Sequence, residues 1–174
     1  MTPPNDTGAI FGRLADGTGG PTVDVFGPII EFLTPKDNEQ ICVMRAVLPP
    51  GVTVPLHSHD DFEDFFILAG GHQVLVEGED GPQWRDAHPG DYIRVAGNAP
   101  HAHRNLSGEP AVDLVITTAV MGRFFREVGR PIGSPPPTAR EVARFAETAN
   151  RFGYRLATAE ENAAVGITLP AFTA

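Results

Sequence analysis

From Val23 onward, short runs dense in Val, Ile, Leu and Phe alternate with clusters of Gly, Pro, Asn and Asp. Apolar-rich runs bounded by turn formers read as β-strands. The segments VDVF, IIEFL, ICVMRAVL, VTVPLHSH, EDFFIL, HQVLVEG, DYIRV, HAHRN and AVDLVITTAV are therefore predicted strands. Turn chemistry separates them at PPG (49–51), AGG (69–71), EGEDG (77–81), HPGD (88–91) and AGNAP (96–100). No helices interleave with the series, which argues against a parallel sheet and predicts an all-β antiparallel barrel or sandwich over residues 23–120.

The pattern changes at both ends. Residues 1–22, rich in Pro, Gly, Thr and Asp and without a sustained period, are expected to form an N-terminal arm. Residues 121–174 are expected to form a helical extension packing on the barrel. GRFFREVGRP reads as a short helical turn stopped by Gly129 and Pro131, and SPPPT as a stiff connector. Val142, Phe145, Ala146, Ala149 and Phe152 have the three-and-four spacing of an amphipathic helix. Thr138 with Glu141 forms a capping box at its start, and Gly153 is placed to end it. Thr158 and Glu161 repeat the box before a last short helix.

Composition narrows the function classes. A chain of 174 residues with 41% hydrophobic and 20% charged residues suits one globular domain with a real core. A formal charge of -9 argues against nucleic acid and anionic membranes as partners, since phosphate surfaces are bound by clustered Lys and Arg. With no apolar run of spanning length and no signal-peptide pattern at the start, a cytoplasmic address is expected. Cys42 is the only cysteine, which rules out an internal disulfide or a multi-cysteine zinc cluster. Lys36, the only lysine, lies in a turn, so imine chemistry has no candidate; phosphate loops and the Gly-x-Ser-x-Gly elbow are also absent.

The chemistry-bearing stretch is HSHDDFEDFFILAG, residues 57–70. Alternate residues of a strand share a face, so His57 and His59 present two imidazoles side by side. Glu63 joins them either by continued parity or across a turn made by Asp60, Asp61 and Phe62. Downstream, APHAHRN offers His101, His103 and Asn105. A lone His-x-His is commonly a surface pair and an acidic run a solvated turn; two histidine pairs on remote strands can together close a metal site. Three imidazoles and a carboxylate suit one divalent transition metal with open positions, whether Fe, Mn, Ni, Co or Zn. Phe65 and Ile67 share the parity of Glu63 and are expected to line the substrate pocket, with Phe62, Asp64 and Phe66 facing away. Asp61 is a candidate hydrogen-bond partner of a ligand imidazole. His72 and His88 are expected in solvent-facing turns, and Trp84 at an edge or interface.

The spacing Gly51, His57, His59, Glu63, Gly70 resembles, position for position, the first motif of the cupin superfamily. Gly90, Ala96, Asn98, His101 and Asn105 follow the second motif, with Ala96 in place of proline and Asn98 in place of glycine. Asparagine tolerates positive φ, so the turn is expected to survive. The resemblance implies a double-stranded β-helix barrel, with the metal held by His57, His59, Glu63 and His101 and with His103 available as a second catalytic group. The tail is similar to that of small single-domain cupins described as quercetin 2,3-dioxygenase-like. That likeness implies a dioxygenase acting on a small aromatic or enol-bearing compound, with Glu63 as both ligand and base. A metal-dependent isomerase or cyclase and a non-catalytic binding cupin are the alternatives. Outer-sheet pairing into a homodimer is expected by the same resemblance.

Overall fold

A computed structural model of the chain describes residues 20–169. The expected N-terminal arm lies almost wholly outside that range. The described residues form eleven strands and three helices. In chain order the strands before the first helix are β1 (Thr22–Asp24), β2 (Ile29–Phe32), β3 (Ile41–Leu48), β4 (Thr53–Ser58), β5 (Glu63–Ala69), β6 (His72–Gly78), β7 (Gly81–Ala87), β8 (Tyr92–Val95), β9 (His101–Arg104) and β10 (Ala111–Thr118). Helices α1 (Ala119–Val128) and α2 (Ala139–Arg151) follow, then β11 (Arg155–Leu156) and α3 (Ala159–Ala164).

Two antiparallel sheets face each other, one ordered β1-β2-β3-β10-β5-β8 and the other β11-β4-β9-β6-β7. This is the all-β antiparallel architecture that the strand pattern predicts, and it agrees with the double-stranded β-helix that the resemblance implies. Alternation along β10 and β5 decides which side chains fill it. Ala111, Asp113, Val115 and Thr117 are buried in phase, as are Glu63, Phe65 and Ile67, whereas Phe66 and Leu68 on the opposite parity are exposed. Met44, Val74, Val115 and Ile67 form the interior.

The sequence pattern misses β7. Its GPQWRDA has a proline, three charged or amide side chains and no clean alternation, because β7 is the outer strand of its sheet and presents one face to solvent. Trp84 lies on that edge strand, with its indole N–H on the Val165 carbonyl at 2.8 Å and the Arg104 guanidinium over its ring. A second difference is at the end of β10. Ala119 and Val120 belong to α1, because the Thr118 hydroxyl caps the Met121 N–H and starts the helix there.

Both predicted capping boxes are present, Thr138 with Glu141 and Thr158 with Glu161. Gly153 ends α2 with φ +80°, which lets the chain reverse and lay β11 along β4. Met121, Phe124, Val128, Ala149 and Tyr154 from the tail are buried in the same core as the barrel. Among the described residues no helix is long and apolar enough to cross a membrane.

Candidate metal centre

The candidate ligands come from the flanks of two of the places where the chain passes from one sheet to the other. Residues 59–62 carry it from β4 to β5, and residues 96–100 carry it from β8 to β9. The two crossings lock together through their backbones. The Asn98 N–H donates to the His59 carbonyl at 2.6 Å. A Cβ on Gly97 would stand 2.3 Å from the Asp60 carbonyl oxygen, so only glycine lets the crossings approach this closely. Asn98 follows with φ +66°, the left-handed conformation anticipated for it. Thr117 donates to the Phe62 carbonyl at 2.6 Å, and Thr118 donates to the Asp61 carboxylate, fixing the first crossing from the side.

A bulge in β4 then sets the register. Val54 pairs with His103 and His57 with His101, so three steps along β4 match two along β9. That extra residue brings the rings of His57 and His101 to 4.2 Å between centroids, with His59 at 4.9 Å from His101.

Each of these imidazoles is anchored in the same way. Nδ1–H donates to a backbone carbonyl two residues away: His57 to Pro55 at 2.8 Å, His59 to Asp61 at 2.8 Å and His101 to Ala99 at 2.9 Å. A carbonyl cannot donate, so Nδ1 carries the proton and Nε2 is left with its lone pair. Asp61 thus orients His59 as suggested, but through its backbone oxygen rather than its carboxylate.

One ligand atom from each histidine lies within 4.8 Å of the others, and His59 and His101 are 1% and 2% exposed. The Nε2 atoms of His59 and His101 are buried without a hydrogen-bond partner, although each is within 3.6 Å of Glu63 Oε2. Buried polar atoms in that condition are costly unless something else satisfies them. Converging neutral nitrogens beside an ionised carboxylate are the donor set of a divalent transition metal, and this His triad is positioned to hold one.

Charge in the site follows from its crowding. Burial pushes the Glu63 carboxyl up, but the imidazoles of His101 and His59 set against it outweigh burial and hold the group well below the ordinary range, as a carboxylate. Burial lowers His59, yet Glu63 carries it above its usual value. His57 falls to about 3 through desolvation and the neighbouring His101.

Behind the imidazoles runs a line of polar residues that the sequence reading places otherwise. His103 is buried, with its ring 4.7 Å from that of Phe65, and its Nδ1 is 3.1 Å from His72 Nε2. His72 is a correction: it stands in β6 in phase with Val74 and is buried, because Gly70 and Gly71 make the turn and the histidine already belongs to the strand. His72 Nδ1 is 3.8 Å from Asp113 Oδ2. Desolvation lowers His103 well below its ordinary value and His72 to about 4, and it raises Asp113, with help from Glu63, to about 7. His88 is exposed in its turn, as expected. Past His72 a cavity of about 440 Å³ opens between the β5–β6, β7–β8 and β9–β10 turns, at the other end of the barrel from Glu63 and His101.

Tyr154 completes the near end and has no counterpart in the sequence reading. Its ring stacks on Phe124 at 4.2 Å and lies 4.9 Å from His59 and 6.1 Å from His57. It reaches the site because β11 pairs Arg155 with Ser58 and Leu156 with His57. Nothing in the spacing of residues 57–105 points to a tyrosine fifty residues downstream. Asp113 did leave a signal, a carboxylate on the inward parity of an otherwise apolar strand.

Residues 44–117 match a family model described as a cupin domain. A curated relative, the dimethylsulfoniopropionate lyase DddQ of Ruegeria pomeroyi, is 33% identical over 82 residues, 47% of this chain and 39% of that protein. The match thus spans about two fifths of the relative's length. Among solved structures, the polyketide cyclase RemF from Streptomyces resistomycificus superposes with a TM-score of 0.56 at 16% identity, covering 63% of this chain and 80% of that one. An RmlC-like cupin from Shewanella frigidimarina gives 0.52 at 14% identity, covering 63% and 92%. At these identities the two structures speak to the fold alone.

Proposed function

We propose, on the premise that the barrel is a cupin domain, that this protein is a mononuclear metal-dependent enzyme acting on a small enol-bearing or aromatic compound. The observation that carries the reading is the set of three backbone-anchored imidazoles whose free Nε2 atoms converge beside the buried carboxylate of Glu63. His57, His59, His101 and Glu63 are the proposed ligands. A divalent cation bound there would act as a Lewis acid toward a hydroxyl or enol oxygen of the substrate.

The chain's own groups supply the rest. Glu63 is held ionised and is placed to accept the proton that such an oxygen gives up. Phe65 and Ile67, buried on the same face of β5, form an apolar wall suited to a planar ligand. His103 is kept neutral by burial, with Nε2 unpartnered, and stands as a second proton acceptor. Tyr154 and Phe124 close the site toward the tail and limit entry of water.

Of the reactions open to such a site, dioxygenation is the leading one, because Glu63 and an apolar wall serve a substrate that must be deprotonated before it meets oxygen. Metal analysis of protein purified without a histidine tag, followed by anaerobic addition of a flavonol, is expected to give a metal-dependent spectral shift and then oxygen uptake. If a panel of enolisable phenols produces neither binding nor oxygen consumption, dioxygenation is refuted. The stretch similar to the lyase DddQ favours a second reading, proton removal by Glu63 without oxygen, as in elimination, isomerisation or cyclisation. Product mass separates the two, since oxygenation adds two oxygen atoms and isomerisation none.

A further inference from the structure

Most of the unpartnered buried polar atoms among the described residues belong to the metal chamber or to the line of residues behind it. A bound cation accounts for His59 and His101. It does not account for the hydroxyl of Tyr154, which is buried, 7% exposed as a residue, and has no hydrogen-bond partner.

Keeping a phenol in this state is costly, because a buried O–H without an acceptor loses its hydration and gains nothing in return. The surroundings nevertheless hold Tyr154 firmly. The Tyr154 N–H donates to the Ala149 carbonyl at 2.9 Å, Gly153 turns the chain with φ +80°, and the ring is stacked against Phe124, itself 1% exposed. On its other side the ring meets His57 and His59. Phenylalanine would serve the packing equally well. What tyrosine adds is a buried hydroxyl, on a ring set against the imidazoles, that no protein group satisfies.

We propose that Tyr154 is a substrate-contacting residue whose O–H donates to an anionic oxygen, enolate or carboxylate, of the ligand held in the chamber. The contact orients the ligand and stabilises the charge that Glu63 creates by taking the substrate proton. Residues outside the barrel strands thereby enter the site, and the tail helices serve to aim one hydroxyl. The proposal rests on the metal reading above.

The test compares wild type with Tyr154→Phe, using 4-nitrocatechol as an anionic oxygen-donor probe whose visible spectrum reports binding to the metal-loaded protein. Elemental analysis and melting of the metal-free proteins accompany it. Metal content is expected to be equal in the two proteins, and metal-free Tyr154→Phe is expected to melt at the same temperature or higher, since it no longer buries an unpaired hydroxyl. Probe affinity is expected to fall about ten-fold, the loss of one hydrogen bond to a charged acceptor. Equal probe affinity in metal-loaded wild type and variant overturns the proposal. So does a lower melting temperature of the metal-free variant, which would mean that the hydroxyl is satisfied within the protein. Wild type that binds no metal overturns the metal reading, and this proposal with it.

Discussion

Asp113 offers a direct test of how far the interior governs stability. Burial raises its pKa from 3.8 to about 7, with the Glu63 charge adding to the effect. The group therefore holds its proton in the folded state over a range where the unfolded chain has lost it. For an acid raised in this way, stability is full below the unfolded value, falls as pH rises, and levels off above the folded value. Asp113→Asn keeps the shape of the protonated carboxyl and cannot ionise. At about 1.4 kcal/mol per unit, the variant should gain less than about 1 kcal/mol over wild type near pH 4 and on the order of 4 kcal/mol near pH 8. His72 contributes with the opposite sign in both proteins. Burial lowers it to about 4, so its neutral form is favoured above its unfolded value of 6.5 and becomes costly as pH falls from there. His57 and His103, also lowered by burial, act in the same direction as His72, so the falling contribution of Asp113 opposes their rising one in wild type and that opposition is gone in the variant. Urea unfolding of metal-free protein in chelator, followed by the fluorescence of Trp84, the single tryptophan, measures both curves. A difference between variant and wild type that stays constant with pH would refute the assignment of a protonated Asp113.

Further tests address the centre and its frame. His101→Ala should weaken metal binding by more than about 100-fold, beyond what loss of an outer hydrogen bond costs, and Glu63→Gln should weaken it less; calorimetric titration separates them. Gly97→Ala forces a Cβ to within 2.3 Å of the Asp60 carbonyl, so it should cost about 1–3 kcal/mol in urea unfolding and lower metal affinity together. Adding the cognate metal at about a hundred times its dissociation constant should stabilise the fold by about 2.7 kcal/mol, and EDTA should reverse the shift in thermal melting.

Much of the barrel is legible because β5 and β10 alternate cleanly and glycines stand where the chain must turn. Glu63, Phe65 and Ile67 could be placed on the inward face by counting in twos, and the structure buries all three. The helix starts were readable for a local reason, since Thr138 and Thr158 bind N–H groups only three residues away. β7 was not readable, because an edge strand with Pro82 and a solvated face has no inward-outward rhythm. His72 was misjudged by one turn residue, and at a strand terminus that decides between solvent and core. Tyr154 is of a different kind. Its place depends on a helix reversing at Gly153 and pairing with β4, a long-range contact for which residues 57–105 contain no trace.

The bulge in β4 and the clasped crossings set His57 and His101 side by side on one sheet and bring Glu63, the first residue of a strand in the other sheet, up to them. An ion gripped there would behave as a rivet through two plates. Prying the sheets apart would require pulling the Glu63 oxygen from the metal that the imidazoles hold, and removing the metal takes that tie away. Opening of the sandwich and release of the ion should then be one event, so that exchange of isotopically labelled metal reads out how often the barrel breathes.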